Sequence, residues 1–277
     1  MTVVLNLVLM LGMLVVVPLG LGLIDGLPAW LPRVWVIAAI PATVSLWLPR
    51  GALAAGLAAG YAVVCVLLAA MGLSRRRPTT PREAAVLTAL LAPAVAGTSL
   101  VAERYGYGLL GFQARVLALT VAHFHYAGFA AALMAGLLCT STRDSRAAAV
   151  SVPAGIGLVF VGFFTTPAVE LAGAVVLTVG MWLVGWQIWR VRRATDGLVR
   201  VLFAVAAVVP VATMALAAAW ALGRAFDLPH PSLNWMIATH GAANAAGFAL
   251  CAILAWRLMV ARRLPPHPTK RSPQWMS

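Results

Sequence analysis

The sequence predicts an all-α fold, a polytopic transmembrane helix bundle of eight or nine helices, and three observations carry that prediction. Of its 277 residues 62% are hydrophobic and 10% are charged, whereas a soluble domain carries about a quarter charged residues. The apolar residues fall in runs near the ~20 that a helix needs to cross a ~30 Å hydrocarbon core. Within the runs, apolar and polar residues do not alternate, which excludes barrel strands and leaves helices.

Nine runs can be drawn, at 3–24, 34–48, 51–73, 84–102, 110–138, 149–166, 168–189, 200–222 and 233–260. The second is short, and Leu48-Pro49-Arg50-Gly51 either separates two spans or breaks one, so the count stays at eight or nine. The first run has no basic n-region and no small-residue cleavage site behind it, so it reads as a retained helix.

The loops orient the bundle. Arg75, Arg76, Arg77 and Arg82 follow the third run, and Arg143 and Arg146 follow the fifth. Arg190, Arg192, Arg193 and Arg200 follow the seventh, and Arg262, Arg263, Lys270 and Arg271 follow the last. These clusters occupy alternate loops, so one side of the membrane collects them, and the positive-inside rule makes that side cytoplasmic. Residues 1–263 then form the bundle, and 264–277, with four prolines, form a cytoplasmic disordered tail. The net charge of +13 is thereby a topology signal, and its scatter between apolar runs excludes a nucleic-acid partner. Cys65, Cys139 and Cys251 stand apart in or beside apolar segments and read as small packing residues.

Ionisable side chains inside membrane spans are costly, so each one needs a reason. Glu103 ends the fourth run and Glu170 opens the seventh, both at the outer side, whereas Asp25 falls toward the opposite end and is set aside. His123 and His125 sit near the middle of the fifth run. On a helix, residues two apart point about 200° away from each other, so one imidazole is expected to face a cavity and the other a neighbouring helix. Arg115, eight residues before His123, lies on a similar face and could hold an anionic group. His240 and Asn244, four apart, share a face and could address one ligand. Glu170 has a purely structural alternative, since a carboxylate in a first helical turn is favoured by the helix dipole. The candidate catalytic groups are therefore His123, His125, Glu170 and His240. Asn244, Arg115, Glu103 and Tyr126 are the candidate substrate-binding groups.

Two short segments look alike: His125-x-x-Gly128-Phe129 and Asn244-x-x-Gly247-Phe248. The run from His123 to Phe129, Glu170-Leu171-Ala172-Gly173, and His240-Gly241 with Asn244 to Phe248 together resemble YndJ-like bacterial membrane proteins over roughly 85–260. The resemblance implies a multi-helix protein of the bacterial cytoplasmic membrane, sometimes labelled a transporter, and supplies no catalytic assignment. His123-Phe124-His125-Tyr126 also resembles a short run of haem–copper oxidase subunit I, but the further ligands of that site have no counterpart here.

No phosphate-binding loop, H-E-x-x-H zinc motif or nucleophile elbow is present in the sequence. The expectation is a membrane-embedded enzyme using His and Glu as acid and base on a lipophilic small molecule, with no cofactor and no metal. Isomerisation, cyclisation and epoxide opening are the reactions that fit. The alternative is a small-molecule or proton/ion transporter, which predicts interrupted helices in matching halves.

Overall fold

A computed structural model describes residues 2–75 and 77–263, and among them the chain forms nine helices and no β-strand. The tail expected at 264–277 lies outside the described residues, as does Arg76. The helices are α1 (Val3–Leu21), α2 (Leu31–Ser45), α3 (Ala52–Ser74), α4 (Pro81–Tyr105), α5 (Ala114–Leu138), α6 (Arg143–Gly162), α7 (Pro167–Arg192), α8 (Gly197–Phe226) and α9 (Leu233–Arg262). All but α2 are long and apolar enough to cross a membrane.

Local chemistry sets the helix ends. Thr80 and Glu83 form a reciprocal capping box at the start of α4, and Pro81 follows it. The Thr142, Thr166 and Ser232 hydroxyls accept backbone N–H groups at the starts of α6, α7 and α9. Gly106, at φ 84°, ends α4 in the left-handed conformation that a side chain would resist.

The 15-residue α2 is about 22 Å long, at ~1.5 Å per residue, and it runs antiparallel to α1. Asn6 Nδ2 donates to the Leu46 carbonyl at 3.0 Å, and Trp35 Nε1 donates to the Met13 carbonyl at 2.9 Å. A buried charge cluster then closes the corner between α2 and α3. The Glu103 carboxylate accepts from Arg104 and, at 2.9 Å, from Arg50, while Arg104 Nη1 donates to the Ser45 carbonyl at 3.0 Å. The Gly51 N–H donates to the Arg104 carbonyl at 2.8 Å. With α2 running as a full leg, the nine helices alternate in direction. The loops after α3, α5 and α7 and the end of α9 share one face, the arginine end.

Glycines set how closely α6 and α7 approach. Gly155 and Gly162 on α6, and Gly173 and Gly180 on α7, are each seven residues apart and so lie along one stripe. A Cβ at Gly162 would fall 2.4 Å from the Glu170 backbone nitrogen, and one at Gly155 would fall 2.6 Å from that of Leu177. Backbone contact of this kind is how helices pack in lipid, where apolar side chains gain little by leaving the solvent.

Three helices depart from α-geometry near mid-membrane. α1 widens into π-helical turns at Gly12–Val16, α5 at Phe124–Ala131, and α9 at Ile237–Gly241 and Asn244–Leu250. These segments pack on one another at the centre of the bundle. Phe129 within the α5 π-turns, and Leu133, Met134 and Ala135 beyond them toward the arginine end, are fully buried.

Replacing Glu103 by Ala should lower stability by about 3–5 kcal/mol, because Arg104 would be left buried without its carboxylate. Thermal unfolding in detergent checks this, and a variant as stable as the parent would remove the cluster's structural role.

Candidate functional site in the outer half of the bundle

A cavity of about 670 Å³ opens between α4, α5, α6, α7, α8 and α9, with Val8 of α1 also in its lining, in the half of the bundle away from the arginine end. Its wall is chiefly apolar. Phe112, Phe124, Phe160 and Phe164 form a chain of edge-to-face contacts with ring centroids 5.0–5.5 Å apart along one side. Phe248 lines its lower part, toward the buried layer at Phe129 and Leu133.

Five of the eight residues singled out in the sequence line this cavity: His123, Tyr126, Glu170, His240 and Asn244. Counted from the outer helix ends at ~1.5 Å per residue, Glu170 lies about 4 Å deep, His240 about 10 Å, His123 about 14 Å and Asn244 about 16 Å. The polar groups thus stand at successive depths around the cavity, on α7, α9 and α5, with the two imidazoles adjacent in depth and Glu170 near the mouth.

The hydrogen bonds fix one imidazole's tautomer. His240 Nδ1 is 2.7 Å from the Thr213 carbonyl, which can only accept, so Nδ1 carries the proton and Nε2 keeps its lone pair. Thr213 also holds Asn244, because its hydroxyl lies 2.9 Å from Asn244 Oδ1. Asn244 Nδ2 donates to the His240 carbonyl at 2.9 Å. One threonine on α8 therefore orients both polar residues of α9. Among the described residues, His123 Nε2 is buried with no hydrogen-bond partner, and so is Trp220 Nε1, which lines the same cavity.

Glu170 is positioned through its backbone, which abuts Gly162 across the α6–α7 stripe. Its carboxylate is buried and lies 3.8 Å from Arg224 of α8, whose guanidinium sits 5.1 Å from the centre of the Trp220 ring. Arg224, Trp220 and Thr213 were missed in the sequence. Arg224 was legible as a charge inside the last turn of an apolar helix, whereas Thr213 matters through a backbone carbonyl, which leaves no trace in residue type.

The other three candidates lie elsewhere. His125 is fully buried outside the cavity: Nδ1 donates to the Val121 carbonyl at 2.7 Å, and Nε2 accepts the Tyr61 hydroxyl of α3. The expected split between a cavity-facing and a helix-bonding imidazole is present, with His123 taking the first place and His125 the second. Glu103 belongs to the corner cluster with Arg50 and Arg104. Arg115 Nη2 donates to Asn234 Oδ1 at 2.7 Å, which ties the outer ends of α5 and α9 together above the cavity. Tyr126 contributes its ring to the lining, while its hydroxyl donates to the Val8 carbonyl of α1 at 2.6 Å.

Membrane-length helices wrapped around such a centre define the class, a polytopic helical membrane protein. The chain belongs to the YndJ-like protein family, which matches it over residues 7–248. That match takes in the opening helices as well as the three motifs, and every cavity-lining residue from Val8 to Phe248 falls within it. No curated protein and no solved structure matches the chain.

Changing Tyr61 to Phe should cost about 1–3 kcal/mol by leaving His125 Nε2 unpaired in an apolar interior. Denaturation of the purified variant in detergent measures this, and an unchanged midpoint would mean that the Tyr61–His125 bond holds nothing in place.

Proposed function

We propose that this protein is a membrane-embedded enzyme that binds a lipophilic small molecule in the outer-half cavity and transforms it by acid–base chemistry. The observation that carries the reading is the pairing of an aromatic-walled cavity of about 670 Å³ with His123, His240, Asn244 and Glu170 along its wall. A cavity of this size and lining suits a ligand of drug-like dimensions. The few polar groups are spread in depth, so they address particular atoms of a mostly apolar molecule.

His240 is the base, because the Thr213 carbonyl keeps the proton on Nδ1 and leaves Nε2 to take one from substrate. His123 is nearest to it in depth and has an unengaged Nε2, so it hands a proton to a second substrate atom or receives one from it. Glu170, nearer the mouth and loosely held by Arg224, serves as the carboxylate partner for the outer end of the substrate. A proton removed at one carbon or oxygen and returned at another balances an isomerisation or a cyclisation. Epoxide opening adds one water, deprotonated by the base as the epoxide oxygen is protonated by the acid.

The buried layer of Phe129, Leu133 and Met134 beneath the cavity favours a blind pocket over a path to the arginine end. The same reading places the arginine end, with the C-terminus, in the cytoplasm of a bacterial cell, since that end collects the basic loops. The cavity then faces the outer leaflet.

Two experiments test these statements. Lipophilic extracts of the producing cells, incubated with the purified protein, should yield one species of unchanged mass and altered retention, or one that gains a single water. His240→Ala and His123→Ala should reduce that conversion by about 10²–10⁴-fold while eluting as monodisperse protein. An extract that the intact protein leaves unaltered would defeat the enzymatic reading. For topology, a reporter active only outside the cytoplasm, fused after residue 263, should stay silent, and a signal from it would invert the assignment.

A further inference from the structure

A second cavity, of about 470 Å³, lies at the arginine end, where the α7–α8 loop meets the end of α9, and the function proposed above makes no use of it. Its polar wall is built by Arg193, Thr195, Asp196, Arg200 and Arg262, and Val199 and Met259 form its apolar side. Three guanidiniums and one carboxylate leave an excess of positive charge around one concavity. The carboxylate is already engaged, because Arg262 Nη1 donates to Asp196 Oδ1 at 2.9 Å. Arg200 is held by a different group: its Nε donates to the Thr195 carbonyl at 2.7 Å, which orients the rest of the fork. Arg193 donates its backbone N–H to the Arg190 carbonyl, and among the described residues its guanidinium makes no hydrogen bond or ion pair.

The positive-inside rule accounts for arginines at this end, but not for their convergence on a cavity from two segments about 60 residues apart in the chain. Guanidinium forks suit phosphate oxygens, since each offers parallel N–H donors in a fixed plane. Basic pockets between helices at the cytoplasmic surface are where anionic headgroups bind. Val199 and Met259 give such a ligand an apolar neighbour, as the upper part of an acyl chain would need.

We infer that this cavity is a binding site for a phosphate-bearing anion, formed by Arg193, Arg200 and Arg262, with Asp196 as the internal competitor for Arg262. A lipid headgroup and a soluble molecule are the two sources of such a phosphate, and the site's chemistry is the same for both.

The test is native mass spectrometry and thermal shift on the full-length protein in neutral detergent. The probes are phosphatidylglycerol, phosphatidylcholine and inorganic phosphate. Phosphatidylglycerol retained in preference to phosphatidylcholine, and not displaced by phosphate, assigns an anionic lipid. Stabilisation by inorganic phosphate alone, with displacement of the lipid, assigns a soluble phosphate. Arg200→Ala with Arg262→Ala should weaken binding about tenfold or more. Arg143→Ala with Arg146→Ala, which removes equal charge from the first turn of α6 at the same end, should leave binding unchanged. Asp196→Asn should tighten binding by freeing Arg262, a gain that misfolding cannot imitate. Binding of neither phosphatidylglycerol nor inorganic phosphate, equal losses in the two double variants, or no gain in Asp196→Asn would overturn the site.

Discussion

The interior of this bundle is governed by the absence of water: a polar atom that leaves solvent within the membrane must find its partner in the protein. The chain meets that demand largely by pairing side chains with backbone carbonyls on neighbouring helices. Asn6 reaches Leu46, Trp35 reaches Met13, Tyr126 reaches Val8, Thr178 reaches Met214 and His240 reaches Thr213. Each such bond ties two helices at a defined height, so the partners that satisfy the polar groups also set the register of the bundle. Among the described residues, four buried side-chain nitrogens are left without a hydrogen-bond partner, and two of them, on His123 and Trp220, border the outer-half cavity. Those two nitrogens are polar points in a wall that is otherwise chiefly apolar.

The cavity exists because the helices around it pack unequally. α6 and α7 are brought into backbone contact by glycines at heptad spacing, and that contact holds the first turn of α7 at Gly162. Glu170 is thus carried where the backbones of α6 and α7 touch. On the other side, α5 and α9 touch through their π-helical middles and through Arg115 and Asn234 at their outer ends, and the cavity lies beside the stretch between. Wide turns are inserted at this level in all three central helices. Each one resets the direction of the side chains beyond it, and π-turns recur at functional sites for that reason.

How much of this was legible in the sequence follows from what each feature depends on. Helix number and boundaries depend on composition over about 20 residues, so eight spans were readable and the short α2 was the natural ambiguity. The cavity's polar groups were readable as residue types in the wrong solvent, and ideal geometry separated His123 from His125. What it could not supply was the choice between them, because that choice rests on Tyr61, 64 positions away on α3. Glu103 and Arg115 carried the same signal as Glu170, a charge at the outer end of a span. Only the positions of Arg50 and Asn234 show them to be fastenings. The π-turns had a trace in Ala-Gly-Phe-Ala, present at 127–130 and again at 246–249. Four residues in an alanine-rich chain do not reveal geometry by themselves.

That repeated segment has more to say once the helices are in place. At the same offset Thr120 aligns with Thr239, His125 with Asn244 and Arg115 with Asn234, and the last two are bonded to each other. The two segments thus face each other on parallel helices, joined at their outer ends by that bond and at mid-height by their π-turns. α1 packs against α2, α5 and α9, and its Val8 reaches the cavity wall. Gly12 of α1 abuts His125, and the α9 position that corresponds to His125 is Asn244, on the cavity wall. Like segments on α5 and α9 are therefore used differently, the first to bond neighbouring helices and the second to present polar groups to the cavity.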